Sequence, residues 1–427
     1  MKYETAVSWA DGFHQFGIRL GLNRIKTVLE KLDNPEKKTD FVHIAGTNGK
    51  GSVCRYISSI LSSEGYRVGV YLSPHLIDFR ERFQINNEYI SKKRFAEIVE
   101  QIKPVVDNYS TKEMQLTYFE LCTIIAFVFF ADENVDYAVI EVGLGGRYDA
   151  TNVIIPIVSV ITNVSMDHQH RLGNTIKDIA FEKAGIIKPT IPVVTAATDE
   201  ALSVIQSICK KKNCDLMVVD DELIHLDQLS FSQQTVLFQG FFDDFMVTTD
   251  QLGSFQPENI GVSIATIECL QQQGIFVSKQ SILNGIKKMN HPGRMQIIQN
   301  HPLIVVDGAH NTVAIKKSVE SLIQLFHFNQ VIIVFGVMKD KAINEMLSIL
   351  FTVADIIILT QPKQNRAASV DDIAGCVQKI NQSTPIIKTN SVHEAYQKAL
   401  NLAKQNDLIF VTGSLFTVAE FLQIKKQ

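Results

Sequence analysis

The stretch Phe41 to Leu61, FVHIAGTNGKGSVCRYISSIL, constrains this chain more than any other. Its apolar run, Phe41 to Ala45, has the continuous hydrophobicity of a buried parallel strand. The turn that follows carries Gly46, Asn48, Gly49, Lys50, Gly51 and Ser52. Beyond it Val53, Ile57, Ile60 and Leu61 recur at helical spacing. Strand, glycine-rich turn and helix in that order cradle phosphates. Backbone N–H groups face the anion, the helix N-terminus adds partial positive charge, the lysine neutralises β/γ oxygens and the hydroxyl reaches Mg²⁺. The loop departs from the strict G-x-x-x-x-G-K-S/T pattern: Ile44 stands at the first glycine, and Ser52 lies two residues past Lys50. The strand before it and the hydroxyl-led helix after it favour a nucleotide-phosphate loop over a plain connector.

A chain of 427 residues is too long for one compact core and implies two or three domains. With 46% hydrophobic and 20% charged residues it has an ordinary globular composition. A net charge of -4 gives no reason to expect nucleic acid or an anionic membrane as partner, so an anionic substrate must be met by local positive groups. The six cysteines form no C-x-x-C pair and read as reduced thiols of a cytoplasmic protein. The N-terminus lacks a signal-peptide core, and the apolar run Leu121 to Ala131 is far short of the ~20 residues that span a bilayer.

Residues 3–32 read as two helices around Gly17 to Gly21. Arg67 to Leu72 is a strand running into Ser73-Pro74-His75, at the edge where open α/β sheets bind ligands. Helices are expected over 92–107 and 116–132. Val135 to Val142 is an apolar strand ending in Glu141 and followed by a glycine-rich loop, Gly143 to Gly146. A carboxylate at a buried strand end needs a partner. In a phosphate-loop protein that partner is Mg²⁺, the alternative being an ion pair with Arg147. After a strand over 157–162, Asp167 and His168 follow a strand end in the same way, which suggests a second metal site beside the ordinary reading of a structural histidine. Lys183, in a helix over 174–187, reads by itself as a solvated charge.

Residues 191–219 read as two strand–helix units, 222–250 as antiparallel strands forming an edge layer, and Gln256 to Gln273 as a helix. The break at Asn290 to Arg294 places a domain boundary near 296–300. Beyond it five apolar strands alternate with helices, starting at Leu303, Val331, Ile356, Pro385 and Leu408. The first ends in Asp307-Gly308-Ala309-His310-Asn311 and the last in Thr412-Gly413-Ser414, both placed to face a ligand. The expected fold is α/β: a large P-loop domain over 1–296 with a mostly parallel sheet, and a smaller Rossmann-like C-terminal domain over 300–427.

Nine separated motifs then resemble the Mur-ligase superfamily, and within it the folylpolyglutamate synthase/dihydrofolate synthase family. In order they are GTNGKGS (46–52), YLSPHL with RERF (71–83), TYFE (117–120), EVGLGGRYDATNV (141–153), MDH (166–168), FEKAGIIKP (181–189), PGRM (292–295), DGAHN (307–311) and TGSLF (412–416). The resemblance implies an ATP-dependent ligase that adds L-glutamate to a folate carboxylate, or to dihydropteroate. It implies ATP contacts at Asn48, Gly49, Lys50, Gly51, Ser52, Asn259, Arg294 and Asp307, and magnesium ligands at Ser73, Glu141 and His168. It further implies a carbamylated Lys183, and folate contacts at Gly21 to Arg24 (Leu22 and Arg24 among them), at Thr117, Tyr118, Phe119 and Glu120, and at Tyr148, Asp149 and Ala150. His310 and Ser414 correspond to residues that hold glutamate. The catalytic set implied is Lys50, Lys183, His168 and His310, with ATP and two Mg²⁺ as cofactors and a monomer as the expected state. Phe83 and Tyr148 replace residues that are commonly aliphatic, and Phe255 stands where a histidine often precedes the ATP-contacting Asn; the first two adjoin the folate side, so they bear on pterin preference more than on the ligase chemistry.

The chemistry agrees with this resemblance. A carboxylate is a poor electrophile, so amide formation needs activation, and attack on γ-phosphate gives an acyl phosphate. A second magnesium beside His168 is better served by an anion than by an ammonium, which gives carbamylation of Lys183 a physical reason. A cell-wall Mur ligase would carry an N-terminal nucleotide-sugar domain, whereas only 45 residues precede Gly46. A nucleotide-driven switch would not need Glu141, His168 and an amine-substrate site in a second domain.

Overall fold

The computed structural model describes residues 1–17, 19–109, 115–380 and 383–426. They divide into two compact units: Met1–His225 with Val236–Thr248 and Pro257–Met289, and Leu226–Thr235 with Thr249–Gln256 and Asn290–Gln427. Among the described residues no helix is long and apolar enough to cross a membrane.

The first unit is built on eight strands: β1 (Asp40–Ala45), β2 (Val68–Tyr71), β3 (Phe83–Ile85), β4 (Glu88–Tyr89), β5 (Tyr137–Glu141), β6 (Val158–Ile161), β7 (Val193–Thr195) and β8 (Leu216–Val218). Their order is β4-β3-β2-β5-β1-β6-β7-β8, parallel from β2 to β8. Alternate side chains of each strand enter opposite cores. Phe41, Tyr71, Ala138 and Ile140 pack with the helices Lys92–Tyr109 and Tyr118–Asp132. Val42, Ile44, Val70, Val139 and Val160 pack with Lys50–Glu64, Gln256–Gln272 and Lys279–Lys288. Gly285 permits the last of these helices to lie against the loop's helix, since a Cβ there would meet the Ile60 Cα at 2.4 Å. Both faces are therefore covered, which is why the strands read as continuous apolar runs.

The structure adds an antiparallel edge that sequence patterning did not anticipate. β3 and β4 form a hairpin turned by Asn86 and Asn87, with φ of 49° and 67°. Two consecutive left-handed asparagines are a recognised hairpin signal. Residues 191–219 contain one helix, Asp199–Lys212, between β7 and β8, where two strand–helix units were expected. β9 (Ile224–Leu229), β10 (Gln234–Gln239) and β11 (Asp244–Thr249) form a separate three-stranded sheet and not an edge layer of the large one.

The second sheet comprises β12 (Gln296–Asn300), β13 (Leu303–Val306), β14 (Val331–Phe335), β15 (Ile356–Leu359), β16 (Ile386–Lys388) and β17 (Leu408–Thr412), ordered β12-β13-β17-β14-β15-β16. β13 to β17 are parallel, as five alternating strands implied. The segment 296–300, where the domain boundary was expected, forms an antiparallel strand on β13. Its polar flanks, Gln296, Gln299 and Asn300, hid it because an edge strand is only half buried.

Candidate active site

The register of the first sheet brings the phosphate loop and the acidic strand end together. Ile44 pairs with Glu141 and Ala45 with Ile161, so the loops after β1, β5 and β6 emerge side by side at the carboxyl edge. Gly46 has φ 152°, and a Cβ there would lie 1.8 Å from the Thr162 hydroxyl oxygen. Gly49 has φ 82°, and a Cβ would lie 2.2 Å from Asn259 Oδ1. These two glycines are required by conformation and by close approach at once. The backbone of the loop is held from β6. Thr47 and Asn48 donate their N–H groups to the Asn163 carbonyl (2.9 Å) and side chain (3.0 Å), and the Thr162 hydroxyl donates to the Asn48 carbonyl at 2.6 Å. Asn163 in turn donates to Glu258 at 3.0 Å. Thr162, Asn163 and Glu258 were not expected from sequence; single polar residues at strand and helix ends carry no local signal.

Two lysines meet on one acceptor. Lys50 Nζ donates to the carbonyls of Gly46 and Thr47, both at 3.1 Å, and Lys183 Nζ donates to the same Gly46 carbonyl at 2.8 Å. Lys183 is 4% exposed, so it is not the solvated charge its sequence context suggests. Burial, then the charge of Lys50, push its pKa down to about 7, with Asp167 opposing. The glycine loop after β5 places it: Arg147 N–H donates to the Glu182 carbonyl at 2.8 Å, and a Cβ on Gly146 would meet the Lys183 carbonyl at 2.7 Å.

Glu141 is 6% exposed, and one of its carboxylate oxygens accepts the Ser73 backbone N–H at 2.8 Å. The alternative ion pair is not formed, because Arg147 instead approaches Glu182 at 3.5 Å and donates to the Phe181 carbonyl at 3.0 Å. Among the described residues no three His, Cys, Asp or Glu side chains cluster as a complete metal site. The carboxylate of Glu141 and the hydroxyl of Ser73 nonetheless fit Mg²⁺, which is usually held by one or two carboxylates with phosphate oxygens and water completing the shell. His168 follows β6 in a left-handed conformation, φ 50°, and its Nε2 lies 3.9 Å from Asp167. An imidazole is a softer donor than magnesium favours, so His168 fits that ion less well than the two oxygen donors.

On the other face, Tyr118 is 8% exposed and stacks on His14, ring centroids 3.5 Å apart. Phe119 packs against Gly143, where a Cβ would come within 2.5 Å of its ring. Thr117 caps the helix Tyr118–Asp132 in a capping box with Glu120. Arg24 is tied to Glu120 at 3.1 Å and to the Arg19 carbonyl at 2.7 Å, and Leu22 precedes the helix Asn23–Lys31. Arg24 thereby joins two helix starts. Tyr148 is half exposed and Ala150 buried. The Asp149 carboxylate faces inward: it accepts from Leu144 N–H (2.9 Å), Thr151 N–H (3.0 Å) and the Thr151 hydroxyl (2.6 Å), and so shapes the 143–151 loop.

In the second unit, Asp307 at the end of β13 is 2% exposed and accepts from the N–H groups of Met295 (2.9 Å) and Ala309 (2.7 Å). Burial raises its pKa, with Arg294 opposing. Gly308 lets the side chains of Leu415 and Arg294 approach the loop closely: a Cβ would lie 2.4 Å from Leu415 Cδ2 and 2.9 Å from Arg294 Nη1. β13 and β17 are paired, so the His310 and Ser414 loops lie at one sheet edge. His310 Nδ1 is 3.3 Å from the Gly308 carbonyl. Ser414 is buried, its hydroxyl 2.8 Å from that of Thr417 and accepting the Thr417 N–H at 3.1 Å. That geometry makes Ser414 the cap of the last helix.

Models of known families match both parts of the chain: "Mur ligase middle domain" over residues 44–267 and "Mur ligase, glutamate ligase domain" over 293–415. The chain is 35% identical over 430 residues to the dihydrofolate synthase/folylpolyglutamate synthase of Bacillus subtilis, covering 98% of each. It superposes on Mycobacterium tuberculosis folylpolyglutamate synthase complexed with ADP and AMPPCP with a TM-score of 0.93 at 27% identity, covering 100% of this chain and 99% of that one. The E. coli FolC complex with DHPP and ADP gives a TM-score of 0.88 at 28% identity, covering 100% and 98%.

Asp149 generates a pH test. Burial pushes its carboxyl up from 3.8 to about 6, against the pull of its hydrogen bonds. Between those values the unfolded chain is ionised while the folded one holds a proton, so the contribution of Asp149 to stability is full below 3.8 and is lost as pH rises through about 6. Relative to Asp149→Asn, the wild type should lose about 3 kcal/mol across that window, at about 1.4 kcal/mol per unit. Thermal unfolding of both proteins over a pH series measures this, and parallel profiles would contradict it.

Proposed function

The chain belongs to the dihydrofolate synthase/folylpolyglutamate synthase family of Mur ligases, and from that premise we propose that it joins L-glutamate to a folate carboxylate with cleavage of ATP, through an acyl phosphate. The observation that carries the reading is the meeting of Lys50 and Lys183 on the Gly46 carbonyl, beside the strand end that bears Glu141. In this reading residues 1–296 are the ATP-binding domain and 300–427 the Rossmann-like one. ATP phosphates lie on Asn48, Gly49, Lys50, Gly51 and Ser52 at the N-terminus of the helix Lys50–Glu64, with Asn259 behind them. Arg294 and Asp307 complete the nucleotide contacts. Ser73, Glu141 and His168 would hold magnesium, for which two ions are proposed, and the metal would supply neutralisation of phosphate charge.

The acceptor lies along Leu22, Arg24, Thr117, Tyr118, Phe119, Tyr148, Asp149 and Ala150. Phe119 offers aromatic surface, whereas Tyr118, packed against His14 and Arg82, acts with Arg24 and Asp149 by shaping the walls. A carboxylate oxygen attacks γ-phosphorus, the bond to the bridging oxygen breaks and ADP leaves. The amine of glutamate, held by His310 with Ser414 fixing the adjacent loop, attacks the acyl carbon and phosphate departs. Lys50 and the loop amides stabilise the charge at each stage because they are positioned before reaction begins. Free small molecules suffice as partners; no nucleic acid or membrane is required, and the protein works as a cytoplasmic monomer.

Lys183 is carbamylated in this reading. With a pKa of about 7 against the usual 10.5, its neutral amine is about three orders of magnitude more abundant at neutral pH. Attack on CO₂ forms the N–C bond and releases a proton, turning a cation that repels Lys50 into an anion that attracts it. Carbon-13 NMR with labelled bicarbonate should show a carbamate in the wild type and none in Lys183→Arg; identical spectra would contradict the assignment.

The reaction is tested by phosphate release from Mg-ATP with glutamate. Release with tetrahydrofolate alone identifies a dedicated polyglutamylating enzyme, and release with dihydropteroate as well identifies a bifunctional synthase. The name of the Bacillus relative favours the second. No release with either would contradict the folate reading.

A further inference from the structure

Arg82 is a buried guanidinium that the reaction as described leaves unused. It is 8% exposed, and its Nε donates to His75 Nδ1 at 3.0 Å. That acceptor must carry a lone pair, so His75 faces Arg82 as the neutral ring and returns no charge. The guanidinium carbon lies 5.6 Å from the Tyr118 ring centroid. Among the described residues no carboxylate lies within ion-pair distance of it. The nearest acids in sequence are committed elsewhere: Glu81 accepts the N–H groups of Leu76, Ile77 and Asp78, and Asp78 pairs with Arg80. Burial works against its charged form while Glu141, acting through space, supports it, and a ligand anion at the guanidinium would add a directly paired partner.

Its position says which anion. The Arg82 carbonyl accepts the N–H of Leu72 at 3.1 Å, and the next residue, Ser73, donates to Glu141 at 2.8 Å. Arg82 is thus fixed beside the two magnesium-type oxygen donors, while its side chain covers the aromatic ring of Tyr118. A molecule with an aromatic ring on one side and a carboxylate bound for phosphorylation on the other spans that interval. A planar guanidinium presents paired donors that match a carboxylate.

We propose that Arg82 binds the carboxylate of the acceptor and holds it for attack on γ-phosphate, with His75 fixing the guanidinium from behind. This rests on the folate reading. It makes Arg82 a substrate-binding residue that discriminates an acid from its neutral analogue.

The test compares two acid–amide pairs, dihydropteroate with its carboxamide and tetrahydrofolate with its γ-carboxamide, binding to protein loaded with Mg²⁺ and a non-hydrolysable ATP analogue. Calorimetry should show the wild type preferring at least one acid over its amide by about 10- to 100-fold, the range of one charge-assisted contact. In Arg82→Gln that preference should fall below about threefold while amide binding and ATP-analogue affinity stay within about twofold. Arg82→Lys, which keeps the charge in case the neutral variant does not fold, should lose part of the preference because an ammonium cannot bond in paired fashion. Equal losses for acid and amide, or an unchanged preference in both variants, would overturn the assignment. Failure of the wild type to bind any of the four compounds would overturn the folate reading and this inference with it.

Discussion

Two ammonium groups on the carbonyl of Gly46 are the constraint from which the rest of the site follows. Like charges this close repel strongly where water is excluded. One of the two must therefore be neutralised, modified or screened, and the buried member, Lys183, is the one whose basicity falls. The free energy of folding maintains this arrangement, because Gly46 takes its conformation without a Cβ and the 143–146 loop packs closely on the backbone at Lys183. A site that holds Lys50 and the loop N–H groups in place before any ligand arrives is suited to a polyanion.

The parallel sheet supplies the convergence. β1, β5 and β6 are neighbours in space although β5 and β6 lie far downstream in sequence, and their register fixes the phosphate loop, Glu141 and Asn163 at one edge. β2 extends the same edge to Ser73. The second sheet repeats the device on its own, setting the Asp307 loop beside the Ser414 loop through the pairing of β13 with β17. In both units the conserved logic is the same: apolar strands are spent on the core, and the residues just past their ends are free for chemistry.

Much of this was legible in the sequence wherever a residue was costly to place without a reason. Gly46, Gly49 and Lys50 announced a phosphate loop, and Glu141 at the end of an apolar strand announced a charge awaiting a partner. The central strands were legible because burial on both faces leaves few polar residues to confuse the pattern. Edge strands β3, β4 and β12 were missed, since half-exposed strands mix polar residues into a short span. Supporting side chains were also hidden. Thr162 and Asn163 act on the loop from a distant segment, with Glu258 behind them, and nothing local marks them. Asp149, Arg24 and Ser414 stood out by motif, but the structure gives their polar groups to loop, helix and cap. Arg82 lay inside a recognised motif, and only its burial distinguished it from the partly exposed Arg80 and Glu81.

The central claim is that this edge activates a carboxylate by phosphorylation. An acceptor labelled with oxygen-18 in its carboxylate tests that directly. When the labelled acceptor is turned over with Mg-ATP and glutamate, an acyl-phosphate route must transfer one labelled oxygen into the released phosphate, since that oxygen forms the bond to phosphorus and leaves with it. Mass spectrometry of the phosphate should show one label for each amide formed. Unlabelled phosphate alongside full amide formation would contradict the account.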